Sequence, residues 1–233
     1  MPVTELAYLP LLSSNSEGVP QDPTPAFLDT AREVLRIQDG WCAENLPSDF
    51  KKPPQGVGLF VQVDNSRSLL LTAHWDSTAR HGEWIQSQAN QDVLKMLTPY
   101  VDMPRVSLFH VDGVDAFTGP NAKAEGENAV LSAKYVSVSR FRVAADKKAG
   151  FERAWAEVGH ILQAFVSPFV HRGGWRIEKQ EGSEDQDEFV LIGGWDNLAK
   201  HANFVGSEGY AVYYETIKTA MLDCDTRFYR KVL

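Results

Sequence analysis

Residues 75–87 read Trp-Asp-Ser-Thr-Ala-Arg-His-Gly-Glu-Trp-Ile-Gln-Ser, and residues 195–207 read Trp-Asp-Asn-Leu-Ala-Lys-His-Ala-Asn-Phe-Val-Gly-Ser. The offset is 120 throughout, with no gap. Trp75/Trp195, Asp76/Asp196, Ala79/Ala199, His81/His201 and Ser87/Ser207 are identical. Arg80/Lys200, Trp84/Phe204 and Ile85/Val205 keep charge or bulk. A gapless match built on tryptophan and histidine marks an internal duplication, and a duplication constrains the fold more than any local propensity does.

The flanks repeat as well. Each copy follows a short apolar run, Leu-Leu-Leu-Thr-Ala at 69–73 and Phe-Val-Leu-Ile-Gly at 189–193, of the kind that forms buried strands. Asp76 and Asp196 sit where a helix N-cap belongs. One helix is expected after each, reaching about residue 100 and residue 222. Closing strands follow at 106–111 and 227–232, and opening strands at 4–12 and 135–143. Val136, Val138, Phe141 and Val143 make the second opening strand's apolar positions. Thr24-Pro25 is a cap followed by proline at the first helical position. Phe27, Ala31, Val34, Leu35 and Ile37 then form a helical stripe, matched by Phe151, Trp155, Val158, Ile161 and Leu162. A further strand is expected at 56–63 and at 174–179.

Each half is therefore β-α-β-β-α-β. The fold class is α+β, two tandem ferredoxin-like repeats forming a single-chain dimeric α+β barrel with the two sheets facing each other. Residues 1–112 make the first repeat, 113–128 a glycine-rich linker and 129–233 the second repeat. The irregular stretches 13–23 and 43–54 are loops of the first half, read as solvated insertions in preference to lids. Two halves in one chain make the pairing that single-unit proteins obtain by dimerising, so a monomer or weak homodimer is expected.

Composition narrows the function. The chain has 233 residues, 43% of them hydrophobic, and a net charge of −8 with no Lys/Arg block. That disfavours nucleic-acid binding. The start has no basic region ahead of an apolar core, so no secretory signal is read there. No apolar run approaches the length that spans a bilayer. The two cysteines, Cys42 and Cys224, form no CxxC, and a reducing cytoplasmic setting is the default.

The motif Trp75-Asp76-Ser77 followed by Trp84-Ile85 and Ser87 resembles the second-helix motif of the antibiotic biosynthesis monooxygenase family. The resemblance covers element order over nearly the whole chain and individual residues only in the strand–helix motif. It implies a dimeric α+β barrel whose relatives oxygenate polyketide aromatics without a cofactor, degrade haem, or isomerise, cyclise or decarboxylate small molecules. Haem-degrading members carry an iron-ligating histidine ten residues after the second motif aromatic. Leu94 and Tyr214 occupy those positions here, which disfavours haem degradation, with Tyr214 left as an unusual ligand at most.

The candidate catalytic residues are histidines. His81 and His201 recur, each three residues before an aromatic and so on one helix face. Each is either a general base beside an aromatic platform or a fold-keeping residue. Duplication favours the second role, because packing needs both copies and catalysis needs one. His160 has no counterpart in the first half and is either a specialised base or a helix-surface residue. His74 ends a strand where the second half has Gly194, a glycine that leaves room by the motif tryptophan. Trp155, Trp175, Tyr210 and Tyr214, with Tyr213, are either the lining of a pocket for a flat substrate or ordinary core. Arg172 adds a polar group without a counterpart in the first half. The acidic run 181–188 reads as a solvated hairpin. No metal spacing, phosphate loop or nucleophile elbow is present, so no cofactor and no metal are expected.

The expected function is a small-molecule enzyme of secondary metabolism, oxygenating, cyclising or isomerising an aromatic or polyketide-like substrate. The alternative is a non-catalytic ligand-binding or stress-associated protein of the same fold. The partner in either case is a hydrophobic or aromatic small molecule. The pocket is expected between sheet and helices of one half, with the second half favoured.

Overall fold

The structure, a computed structural model, describes residues 2–12, 23–47, 57–113, 129–180 and 182–233. All but the last residue of the expected loop at 13–23, most of that at 43–54 and the linker beyond Gly113 lie outside them. Two compact units are formed. One comprises Met1–Asp115 with Tyr229–Leu233, the other Ala116–Phe228.

The first unit runs β1 (Val3–Pro10), α1 (Pro25–Asn45), β2 (Gly58–Gln62), β3 (Ser68–Trp75), α2 (Thr78–Gln86), α3 (Gln88–Leu97) and β4 (Ser107–Asp112). Its strands lie in the order β4-β1-β3-β2. The second runs β5 (Tyr135–Ala144), α4 (Lys148–Val166), β6 (His171–Trp175), β7 (Gln186–Trp195), α5 (Leu198–Val205), α6 (Glu208–Lys218) and β8 (Asp223–Lys231). Its order is β8-β5-β7-β6. β1 pairs antiparallel with β3 from Val3 opposite Trp75, and β5 with β7 from Tyr135 opposite Trp195. The duplicated tryptophans thus hold the same place in each unit. The last residues of β8 pair with β2, Tyr229 opposite Gln62, which puts the chain's end in the first unit.

The long second helix expected in each half is two helices. Ser87 takes an extended backbone and accepts from Asn90 N, capping α3. Ser207 does the same for α6 through Tyr210 N. A serine hydroxyl that satisfies an orphan helix N–H is worth about 1 kcal/mol, and this explains why the repeat keeps it. The first caps also shift by one residue. Ser77 and Asn197 cap α2 and α5, accepting from Arg80 N and Lys200 N. Asp76 and Asp196 instead pair with Arg80 and Lys200 one turn on.

Other boundaries differ too. α1 begins at Thr24-Pro25 as read but continues through Asn45, and it buries Gln38 and Cys42 beyond the apolar stripe. The second strand of the second half is His171–Trp175, earlier than 174–179. Glu188 is not solvated hairpin. It is buried at the start of β7 and clamped by the Arg140 guanidinium at 2.9 and 2.6 Å.

Each unit has its own core. In the first, Phe27, Val34, Leu69, Trp75, Trp84 and Leu97 cluster between α1, the sheet and the helix pair. In the second, Phe141, Phe151, Leu162, Phe189, Trp195, Phe204 and Ile217 do so. Trp75 and Trp195 are 0% and 1% exposed. The fold class is α+β with two ferredoxin-like repeats, the class of the single-chain dimeric α+β barrel.

Candidate functional site

The duplicated histidines have diverged in surroundings. In the first unit His81 is buried and held from both sides. Its Nδ1 shares a hydrogen bond with His110 Nε2 at 2.7 Å. Its Nε2 lies 3.4 Å from Glu5 Oε2, and its ring stacks on Trp75. The Trp75 indole N–H donates to the same Glu5 oxygen at 2.8 Å. Burial pushes the Glu5 carboxyl up to about 7, opposed by the Trp75 hydrogen bond and by His110. Both ring nitrogens of His81 therefore face polar partners inside the unit.

In the second unit Ser137 stands where Glu5 stands in the first, since each lies two residues along from the partner of the motif tryptophan. Trp195 donates to Ser137 Oγ at 2.9 Å. His201 meets Phe228 ring to ring at 4.5 Å, as His81 meets His110 at 4.9 Å. The close neighbours of His201 are rings, Trp195, Phe204 and Phe228. It is half-buried, and loss of solvent holds its imidazole below the usual range, hence neutral near pH 7.

That difference opens a cavity of about 230 Å³ between sheet and helices of the second unit. Its floor is Ser137, Ser139 and Phe141 of β5, Leu191 and Trp195 of β7, and Cys224 and Thr226 of β8. Its roof is Leu162 of α4, His201 and Phe204 of α5, and Tyr210, Tyr213, Tyr214 and Ile217 of α6. Tyr210 and Tyr214 stack at 5.9 Å near the mouth, where Tyr214 is 42% exposed. Thr226 Oγ1 donates to Ser139 Oγ at 2.8 Å, which leaves the Ser139 hydroxyl free to donate in turn. Three hydroxyls therefore line one wall, a neutral imidazole another, and aromatic faces the rest.

Of the residues singled out from the sequence, the structure brings together His201, Tyr210 and Tyr214. His81 and His74 belong to the first unit. His160 is exposed on α4, whose buried side carries Phe151, Val158 and Leu162. Trp155 and Trp175 are not in the wall. They pack on Phe189, at 5.8 and 5.2 Å, and the Trp175 N–H donates to Glu152 at 2.9 Å. Arg172, half-buried on β6, donates to His171 O at 3.3 Å and also lies outside the wall. Gly194 does not free space for a ligand. A Cβ there would meet Phe169 Cβ at 2.8 Å and Val130 O at 2.9 Å, so the glycine serves close packing.

The wall residues missed in the sequence are Ser137, Ser139, Thr226 and Cys224. A signal existed. Strand side chains alternate between faces, so Ser137, Ser139 and Phe141 share one face while Val136 and Val138 take the other. Ser137 pairs opposite Gly193, where a Cβ would come within 2.9 Å of Ser137 Oγ, so the glycine makes way for the serine itself.

No protein-family model and no curated protein matches the chain. Solved structures do. A proposed monooxygenase from Fusobacterium nucleatum aligns at TM-score 0.62 and 8% identity, over 100% of this chain and 93% of that one. An anthrone oxidase-like protein aligns at 0.60 and 13%, over 100% and 92%. A proposed monooxygenase from Lactobacillus acidophilus aligns at 0.55 and 10%, over 99% and 93%. At such identities the likeness is one of fold. Full-length matches at these TM-scores show that the chain shares its fold with these structures.

Proposed function

We propose that the second half is the working site of a small-molecule enzyme that oxygenates an aromatic or polyketide-like substrate without a resident cofactor. The observation that carries this reading is the cavity, with a neutral imidazole and a row of hydroxyls set among aromatic faces. The full-length resemblance to structures described as monooxygenase and anthrone oxidase-like supports it.

The chemistry follows from what the walls offer. A flat ring enters past Tyr210 and Tyr214 and leaves water behind. His201 accepts a proton from an acidic C–H or O–H of the substrate. Ser137 and Ser139 donate to the developing oxyanion, Ser139 while accepting from Thr226. The carbanion so formed is electron-rich enough to react with dioxygen directly, and the protein supplies base, orientation and desolvation. A lowered imidazole pKa suits a substrate whose own proton is acidic, since a base works best when it is unprotonated at working pH.

The test is oxygen uptake with an anthrone and a set of polyhydroxynaphthalenes. The wild type should consume oxygen with at least one of them, and His201→Ala should fall at least about 100-fold, the scale of a lost general base. Tight binding without oxygen uptake or any product would instead establish a ligand-binding protein.

A further inference from the structure

We propose that Glu5, His81 and His110 form a proton-held latch in the first unit, which ties α2 and β4 to β1 below neutral pH and loosens them above it. The second unit has no such latch. The inference stands apart from the second-half cavity and from the function proposed for it.

The geometry carries the case. The three side chains come from three elements, β1, α2 and β4, and all are buried. His81 Nδ1 and His110 Nε2 lie 2.7 Å apart, so one nitrogen donates to the other. On its far side His81 Nε2 lies 3.4 Å from Glu5 Oε2, and Trp75 of β3 donates to that same oxygen. Fully deprotonated, the cluster is a buried carboxylate beside two neutral imidazoles, one net negative charge out of water. One proton on the Glu5 carboxyl makes it neutral. The same contacts that join three elements therefore hold best while that proton stays.

The surrounding groups supply no counter-charge. α1 brings Cys42, whose thiol is pushed up to about 12 by burial and then by Asp39, Glu5 and Asp76. Asp39 is itself held above its usual range by burial. α2 brings Arg80, already engaged by Glu83 and Asp76. β4 brings Asp112, two residues after His110. Among the described residues, the polar contacts of Glu5 are with Trp75 and His81, and neither is Lys or Arg. Burial accordingly holds the carboxyl at about 7, opposed by Trp75 and then by His110. That value lies above the ordinary 4.5, so the stabilisation is full below pH 4.5 and lost as pH rises through 7. In the second unit Ser137 and Phe228 take the places of Glu5 and His110. His201 is held below its usual range by desolvation, so it changes charge on the acid side of neutrality.

Amide hydrogen exchange of the full chain at pH 6 and pH 8, expressed as protection factors, tests this. Protection in α2 and β4 should fall about tenfold between the two, the change that linkage gives for one proton held at about 7. Protection in α5 and α6 should stay level. Glu5→Gln keeps the shape without the titrating proton and should abolish the fall. A fall shared equally by both units, a fall that survives Glu5→Gln, or no fall at all overturns the proposal. If that variant does not fold, carbon-13 NMR of the wild-type carboxyl decides. A Glu5 carboxyl that titrates near pH 7 supports the latch, and one that titrates in the ordinary carboxylate range sinks it.

Discussion

Trp75 donates its indole N–H to the buried carboxyl of Glu5 at 2.8 Å, and from this pair the divergence of the two halves follows. The carboxyl draws His81 towards it, and His110 closes the cluster from β4. In the second half the pair is Trp195 and Ser137 at 2.9 Å, and the histidine is released to a cavity.

Glu5 makes stability depend on pH. Its folded-state pKa of about 7 lies above the ordinary 4.5, so the folded chain holds the proton more tightly than the unfolded one. The stabilisation is complete below pH 4.5 and is lost as pH rises through 7. A shift of this size corresponds to on the order of 3 kcal/mol. Chemical denaturation between pH 5 and 8 should show unfolding free energy falling with pH, and Glu5→Gln should flatten that slope.

The two histidines should separate under mutation. His81→Ala removes a buried ring, strands Glu5 and His110, and should cost roughly 3 kcal/mol or more. His201→Ala opens a wall that already faces space and should cost about 1 kcal/mol or less. Urea midpoints with unchanged m-values would check both.

Trp195 fills the junction of β7 and α5 at 1% exposure. Trp195→Ala should lower stability by roughly 3–5 kcal/mol through lost burial and a residual cavity. An unchanged melting midpoint would contradict the burial.

The repeat serines predict a smaller effect. Ser87→Ala and Ser207→Ala each delete a helix cap that also donates back to Trp84 O or Phe204 O at 2.7 Å. Each should cost about 1 kcal/mol, with near-additive loss in the double variant.

The duplication was legible because Trp75/Trp195 and His81/His201 sit at one fixed offset, and the succession of strands and helices in each half was read from it. The split of the second helix was not, because Ser87 and Ser207 are compatible with a helix interior until their hydroxyls are seen capping. Half of the site was legible. Aromatic residues at Tyr210 and Tyr214 and the recurring His201 announce a pocket or a core equally well, and tertiary packing decides which. Trp155 and Trp175 belong to the same composition class yet fall on the core side. Ser137 and Ser139 alternate in β5 with the more conspicuous Val136 and Val138, which face the other way, and small hydroxyls do not stand out in an apolar strand. His160 drew attention through asymmetry alone, and surface positions are free to be asymmetric.

The central claim is that the second half, not the first, holds the ligand. The most direct measurement is a 2-naphthol titration followed by backbone and aromatic-ring NMR of the full chain. Shifts should concentrate at Ser137, Ser139, His201, Tyr210, Tyr214 and Thr226, with His81 and His110 unmoved. Shifts centred on Glu5, His81 and His110, with the second-half residues silent, would contradict the account.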